Sequence, residues 1–174
     1  ENALLNSFQR EEFIADSYLR FIVEELKPFI DGRYSTLSDR DNTLIMGSSM
    51  GGLISLYALC EYPDYFGAAA CLSTHTPAAI GDFEHEAEPW SKAFRDYLKD
   101  NLPAANSRVV YMDYGDGTID AGYGPYQALV DSLFAEKGWA EPHFISRFFP
   151  GHQHDETSWQ QRLHIPLELL LGAE

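Results

Sequence analysis

Cysteine, basic residues and long apolar runs are all scarce in this sequence, and each scarcity excludes a class of protein. Two cysteines in 174 residues are too few for a disulfide framework or a cysteine metal site. Lysine and arginine number 12 against 27 acidic residues, for a net charge of −15; this argues against nucleic acid and anionic membrane surfaces as partners. No apolar run approaches the roughly 18 to 20 residues of a membrane span. We therefore expect a soluble, acid-surfaced protein.

The remaining composition is typical of a globular chain. Hydrophobic residues make up 45% of the sequence and aromatic residues 14%, enough for a packed core rather than disorder. Because 174 residues is one domain's length and no repeat or linker is visible, residues 1–174 are predicted to form a single domain. The chain begins with Glu1 and no apolar leader follows, so localisation is left open, with the cytoplasm slightly favoured.

Apolar periodicity predicts four strands that alternate with helices. Strands are expected at Thr43–Met46, Phe66–Leu72, Arg108–Tyr114 and His143–Phe149. Helices are expected at Arg10–Ile30, from the turn after Ser49 to about Tyr62, at Trp90–Leu102, at Tyr126–Lys137, and at Trp159–Leu171 with a bend or break at Pro166. Strands that alternate with helices form a mostly parallel α/β sheet with helices on both faces. The loop from Ser73 to Pro89 is expected to cover the active-site end of this sheet.

A GxSxG motif lies between the first predicted strand and its helix. Gly47, Ser49 and Gly51 form it, and a strand on one side with a helix on the other is the context of a nucleophile elbow. Such a strained turn brings the residues two before and two after the serine together, so both are expected to need glycine. The competing interpretation is a tight strand-to-helix turn in which Ser49 is only an N-cap. Ser48 lacks the glycine frame and is expected to point toward the strand.

Two further loops at the carboxyl ends of strands carry groups that would activate a serine. The loop after the third strand offers Asp113, Asp116 and Asp120, and the loop after the fourth offers His152 and His154. A serine hydroxyl needs a neighbouring base, and the base needs a carboxylate to fix its tautomer. The chain order Ser, Asp, His is the order found in α/β-hydrolases. Spacing alone leaves the choice among these candidates open.

Five segments spread over nearly the whole chain carry a specific combination of motifs. They are FIVEELKPFID (Phe21–Asp31), DRDNTLIMGSSMGGLISLYAL (Asp39–Leu59), YPDYFGAAACLS (Tyr62–Ser73), DYGDGTIDAGYGPYQ (Asp113–Gln127) and GHQHDETSWQQRL (Gly151–Leu163). In this combination the chain resembles the esterase D branch of the α/β-hydrolases, which includes enterochelin, feruloyl and acetylxylan esterases, S-formylglutathione hydrolase and mycolyltransferases. The resemblance implies the α/β-hydrolase fold and a serine esterase activity.

The same resemblance selects among the candidate catalytic residues. In such relatives the acid follows a Gly-Thr pair by about two residues, which favours Asp120, with Asp116 as the rival. The histidine precedes an acid and then a tryptophan, which favours His154 over His152. Asp113, inside the strand, is expected to be structural. His75 and His152 are candidates for the substrate pocket, and Trp159 is expected to pack beneath the histidine loop.

The implied mechanism is acyl transfer from a small-molecule ester to water. His154 deprotonates Ser49, which attacks the ester carbonyl, and the oxyanion is held by the Met50 N–H at the start of the elbow helix. We expect no metal or organic cofactor. The sequence indicates no preference for a particular acyl or alcohol group. It also does not distinguish hydrolysis from acyl transfer to another acceptor.

One part of the expected machinery has no counterpart in the sequence. The second oxyanion donor usually follows an earlier strand and an HGG-like run, and the chain resembles only the C-terminal two thirds of such an enzyme. The exposed edge of the elbow strand could then pair with another copy to give a homo-oligomer. Two alternatives follow: a truncated, inactive relative that serves as a binding domain, and a metal-binding protein that uses His152, His154, Asp155 and Glu156.

Overall fold

The structure is a computed structural model that describes residues 14–76 and 87–172. It divides into two compact units, Glu1–Ser38 and Asp39–Glu174, which are described separately. The prediction of a single domain over residues 1–174 stays a prediction.

The described part of the first unit is one run of helix that changes its winding. It is α-helical over Ala15–Arg20 (α1), π-helical over Phe21–Leu26 and α-helical again over Lys27–Arg33 (α2). The predicted start of this helix, Arg10, lies outside the described residues, and the helix continues past its predicted end at Ile30 to Arg33. Pro28 lies in the first turn of α2, where a missing amide hydrogen costs little. The helix ends at Tyr34, whose backbone is extended.

The second unit is built on a four-stranded parallel sheet. Its strands are β1 (Leu44–Ser48), β2 (Ala68–Leu72), β3 (Val109–Gly115) and β4 (Phe144–Phe149), in that spatial order. Its helices are α3 (Met50–Glu61), α4 (Ala87–Asn101), α5 (Gly124–Glu136), α6 (Glu156–Arg162) and α7 (His164–Leu171), with short 3-10 turns at Arg40–Asn42 and Thr118–Gly122. The predicted parallel α/β sheet is confirmed.

The strand register places the loops that carry the candidate site residues together at the carboxyl ends of the strands. Ser48 at the end of β1 pairs with Leu72 at the end of β2, and Leu72 pairs with Asp113 near the end of β3. Gly115 pairs with Phe149 at the end of β4. Because all four strands are parallel, the loops that follow them emerge together. Within the described residues β1 lies at one edge of the sheet, and its pairing with another copy stays a prediction.

Small residues in β2 let the helices approach the middle of the sheet closely. All five residues of β2, AAACL, are buried. Ala70, Leu72, Tyr111 and Ile145 form a core cluster against which Trp159, Leu163, Ile165 and Leu170 pack.

Cys60 and Cys71 are both buried and free, and burial raises the pKa of the Cys60 thiol to about 12. Both cysteines therefore serve as small core residues, as expected.

The final helix differs from its predicted bounds in a way that matters for the site. It starts at Glu156 instead of Trp159, because the Asp155 carboxylate caps it by accepting the Ser158 N–H at 2.7 Å. It breaks at Leu163, between α6 and α7. Pro166 explains the break, since it has no N–H to donate to the carbonyl of Arg162.

Candidate active site

Ser49 occupies a sharp turn between β1 and α3. Its φ of 56° and ψ of −121° are sparsely populated for a residue with a side chain. Its N–H donates to the Leu72 carbonyl at 2.8 Å, and its own carbonyl accepts from the N–H groups of Gly52, Leu53 and His75 at 3.0, 3.2 and 3.2 Å. Four main-chain hydrogen bonds thus hold the turn that presents the hydroxyl.

Of the two glycines of the GxSxG motif, only one lies where a side chain would clash. A Cβ on Gly47 would lie 2.5 Å from the backbone carbon and oxygen of Gly51, whereas a Cβ on Gly51 would meet nothing within 4 Å. The expectation that both positions must lack a side chain is therefore wrong for Gly51. The other glycine of this turn at which a side chain would clash is Gly52. A Cβ there would lie 2.8 Å from Thr74 Oγ1, because α3 packs closely on the chain that leaves β2.

His154 lies between the serine and an aspartate. Its Nε2 is 2.8 Å from Ser49 Oγ, and its Nδ1 is 2.7 Å from Asp120 Oδ1. The His154 side chain is 9% exposed and that of Asp120 is 0% exposed. The His154 N–H donates to Thr118 Oγ1 at 2.9 Å, which ties the histidine loop to the loop that carries Asp120. The structure thus brings together the three residues that the sequence singled out.

Asp120 reaches this position through a 3-10 turn after β3. Its second oxygen, Oδ2, accepts from the Gly115 N–H at 2.7 Å and from Ser73 Oγ at 2.6 Å. A Cβ on Gly115 would lie 2.2 Å from the His152 carbonyl oxygen, so this glycine allows the two loops to touch. Both carboxylate oxygens of Asp120 are therefore hydrogen-bonded. Oδ1 contacts His154, and Oδ2 accepts from the buried Ser73 hydroxyl and from the Gly115 N–H.

The rival acids bind elsewhere. Asp116 accepts the Gly151 N–H at 2.7 Å and so braces the histidine loop. Asp113 lies inside β3, fully buried, and accepts from Tyr111 Oη and Arg162 Nη2, both at 3.0 Å. Burial raises the pKa of the Asp113 carboxyl, and the Arg162 guanidinium opposes that rise.

The remaining predicted site residues lie around the three-residue cluster without joining it. His152 Nδ1 is 3.3 Å from the Ser158 carbonyl, and its ring lies beside Phe149. His75 Nδ1 is 2.6 Å from the Tyr123 hydroxyl. Partial burial, and then the neighbouring His154, lower the pKa of His75. Met50 is the first residue of α3, where a helix leaves its N–H without an intrahelical acceptor.

Several residues that complete the site were not identified from the sequence. Tyr123 stands edge-on to His154, with ring centroids 5.7 Å apart. Trp159, expected only to pack, lies 5.1 Å from the His154 ring and also donates Nε1–H to Ser73 Oγ at 3.0 Å. The position of Ser73 directly after β2 was a usable signal, because Ser49 follows β1 in the same way. Arg162 had no signal, since its role depends on where α6 ends.

Within residues 14–76 and 87–172, no three His, Cys, Asp or Glu side chains are grouped so that they could hold a metal ion. His152, His154, Asp155 and Glu156 therefore do not form such a group, and the metal-binding alternative gains no support. No helix in the described part of the chain is long and apolar enough to cross a membrane.

The parallel sheet and its loops define the class as an α/β-hydrolase fold, and similar solved structures have this fold. An enterochelin esterase from Shigella flexneri superposes with a TM-score of 0.71 at 18% identity, over 89% of this chain and 37% of that chain. An S-formylglutathione hydrolase from Staphylococcus aureus superposes with a TM-score of 0.64 at 17% identity, over 91% of this chain and 66% of that chain.

The model of the Esterase family, described as "Putative esterase", matches residues 3–165. The chain belongs to this family, and the recognised resemblance is confirmed.

Curated relatives match shorter stretches. The Bacillus subtilis protein YjcH, uncharacterized, is 36% identical over 62 residues, which is 36% of this chain and 26% of that protein. An endo-1,4-beta-xylanase/feruloyl esterase from Xylanibacter ruminicola is 33% identical over 73 residues, 41% of this chain and 10% of that protein. The matched stretches thus span about a quarter of the first relative's length and a tenth of the second's.

Proposed function

We propose that this protein is a serine carboxylic-ester hydrolase that acts through an acyl-enzyme on Ser49. The observation that carries the proposal is the position of His154, whose two ring nitrogens lie 2.8 Å from Ser49 Oγ and 2.7 Å from Asp120 Oδ1. A histidine with a hydroxyl on one side and a buried carboxylate on the other is the arrangement that activates a serine. Membership of the Esterase family supports the reaction class.

The chemistry follows from the positions of the protons. Asp120 accepts the Nδ1–H of His154, which leaves Nε2 as the base. Nε2 takes the Ser49 proton as Oγ attacks the ester carbonyl carbon, and the imidazolium then returns that proton to the departing alcohol oxygen. Water, deprotonated by the same Nε2, attacks the acyl-enzyme and releases the carboxylic acid and Ser49.

The oxyanion is proposed to bind at the start of α3. The Met50 N–H follows the nucleophile and is joined by the positive end of the helix dipole. We propose that a second donor comes from outside the described residues. A single missing donor typically costs about 100- to 1000-fold in turnover, so activity depends strongly on this contribution.

The substrate is proposed to be a small-molecule ester. Similar structures carry names such as enterochelin esterase and S-formylglutathione hydrolase, and their different substrates leave the acyl and alcohol groups open. His75 and His152 are proposed to line the pocket, because their rings lie beside the cluster and their Nδ1 atoms contact Tyr123 and Ser158, not the Ser49 hydroxyl.

Hydrolysis of p-nitrophenyl acetate by the full chain tests the proposal. Ser49→Ala should reduce kcat by about 10⁵-fold or more, since the nucleophile is lost, while Ser48→Ala should keep the wild-type rate. A fluorophosphonate should label Ser49 and not Ser48, as located by peptide mass spectrometry.

Two results would count against this function. Unchanged activity in Ser49→Ala would contradict the nucleophile assignment. A folded wild-type protein with neither activity nor label would favour the alternative of an inactive relative that serves as a binding domain.

A further inference from the structure

Ser73, at the end of β2, holds an unfavourable backbone conformation in full burial. It is 0% exposed and has a φ of 42°. A left-handed conformation is unfavourable for a residue with a Cβ, and glycine avoids that cost. Glycine would therefore fit this backbone conformation better than serine does. The reason for a serine at this position must lie in the contacts of its hydroxyl.

The hydrogen of that hydroxyl can be placed from its neighbours. Trp159 Nε1 is 3.0 Å and Arg162 Nη2 is 2.7 Å from Ser73 Oγ. Indole and guanidinium nitrogens only donate, so both fill acceptor sites on the oxygen. The remaining contact is Asp120 Oδ2 at 2.6 Å, and the one hydroxyl hydrogen must point there. The donor role of Ser73 toward Asp120 is thus fixed by elimination.

Charge in this buried layer favours the same orientation. Arg162 is 1% exposed, and its Nη2 lies 3.0 Å from Asp113 Oδ1 and 3.9 Å from Asp120 Oδ2. One buried cation therefore serves two buried carboxyl groups. A positive charge that forms on His154 during the reaction would supply a second cation beside Asp120.

We propose that Ser73, oriented by Arg162 and Trp159, is a positioning residue that fixes the Asp120 carboxylate toward His154. This inference rests on the proposed esterase function, because it assigns Ser73 a role within the same site. Within the part of the chain that the structure describes, the Ser73 hydroxyl makes no hydrogen bond to Ser49 or His154, and we place its action on Asp120, to which it donates. Its hydroxyl holds Oδ2 so that Oδ1 stays in line with the His154 Nδ1–H.

The matched test is Ser73→Gly, which removes the hydroxyl and also relieves the backbone strain. We expect kcat for p-nitrophenyl acetate to fall about 100-fold, the effect of a small misplacement of a catalytic group, with KM within about twofold because uniform binding is untouched. The low-field proton NMR signal of the His154 Nδ1–H should shift or broaden. Ser55→Ala, which removes a hydroxyl of equal burial that donates to the Gly51 carbonyl, should leave kcat, KM and the signal unchanged.

Ser73→Ala provides a second variant, which keeps the strain and loses the hydroxyl. It should match the kinetics of Ser73→Gly at lower thermal stability. Wild-type kcat in either folded Ser73 variant would overturn the inference, and loss of the fold in both would also overturn it, because Ser73 would then be structural. Absence of activity in the wild type would instead contradict the proposed function, so the two failures are distinguishable.

Discussion

The two halves of the candidate site are built in opposite ways. The outer half, Ser49 and His154, consists of two side chains on two loops. Each residue is placed by hydrogen bonds of its own main chain, to Gly52, Leu53, Leu72 and His75 for Ser49 and to Thr118 Oγ1 for His154. The inner half, Asp120, Ser73 and Arg162, is buried and is held mainly by hydrogen bonds between side chains from the ends of β2, β3 and α6. The residues of the outer half are thus fixed through their backbone, whereas the buried carboxylate is fixed through its own oxygens.

After loss of the nucleophile itself, the largest expected effect comes from Asp120→Asn, which changes the residue that joins the two halves. The amide can offer an N–H to His154 Nδ1 in place of an acceptor, so it favours the wrong tautomer. We expect kcat to fall by about 10⁴-fold, as for loss of the triad carboxylate charge elsewhere, with the fold retained. The measurement is steady-state hydrolysis of p-nitrophenyl acetate.

Asp116→Asn is the matched control for that prediction. Asp116 binds only the Gly151 N–H among the polar contacts described, and an asparagine oxygen can still accept that bond. Its kcat should stay close to the wild-type value. A large loss in Asp116→Asn together with a small loss in Asp120→Asn would reverse the assignment of the acid.

Gly47→Ala tests how tightly the outer half is built. The new Cβ would lie 2.5 Å from the backbone of Gly51, and we expect a loss of about 3 kcal/mol in the free energy of unfolding, the upper range for overpacking. Gly51→Ala has open space around its Cβ and should be neutral or slightly stabilising, because alanine favours the helix. Urea unfolding of both variants measures the difference. Equal losses would contradict the asymmetry of the motif.

The smallest effect is expected at the cap of α6, the helix that carries Arg162. The Ser158 N–H, as a hydrogen-bond donor, lowers the pKa of Asp155. The ionised form is therefore favoured by folding, and its contribution is present above the ordinary aspartate pKa and lost as the pH falls through the lowered value. Asp155→Ala should lower Tm at neutral pH, and the difference from wild type should fade in acid.

Gln160→Ala, in the same helix, is the control for the pH dependence. Glutamine does not titrate, so any change in Tm should be the same at neutral and acid pH. An Asp155→Ala difference that persists undiminished below the aspartate range would show that capping by the carboxylate is not its cause.

The turn at Ser49 could be predicted from the sequence because a short local motif marks it, whereas the choice of His154 over His152 rested on the family resemblance. The GxSxG spacing at Ser49 predicted a strand, a turn and a helix, and these elements are found at Leu44–Ser48 and Met50–Glu61. Alternating strands and helices predicted the parallel sheet, and that sheet brings the loop carrying His154 to Ser49.

The contacts that hold Asp120 in the inner half could not be predicted, because they depend on register and on helix ends. Ser73 reaches Asp120 across 47 positions of sequence, and Arg162 reaches Ser73 across 89. No periodicity encodes contacts of that length.

The error at Gly51 has a different and local origin. The clash between positions 47 and 51 is one-sided, and only the direction of each Cβ shows which glycine is required.

The Ser49 carbonyl oxygen accepts three hydrogen bonds, and this has a consequence for turnover. Three N–H groups hold that carbonyl, so a reorientation of the main chain at the nucleophile would break several hydrogen bonds at once. An acyl group joined to Ser49 Oγ would change the side chain alone. The reorganisation energy of the proposed reaction would then come from the imidazole, the substrate and solvent, and the backbone of the turn would serve as a fixed reference for all of them.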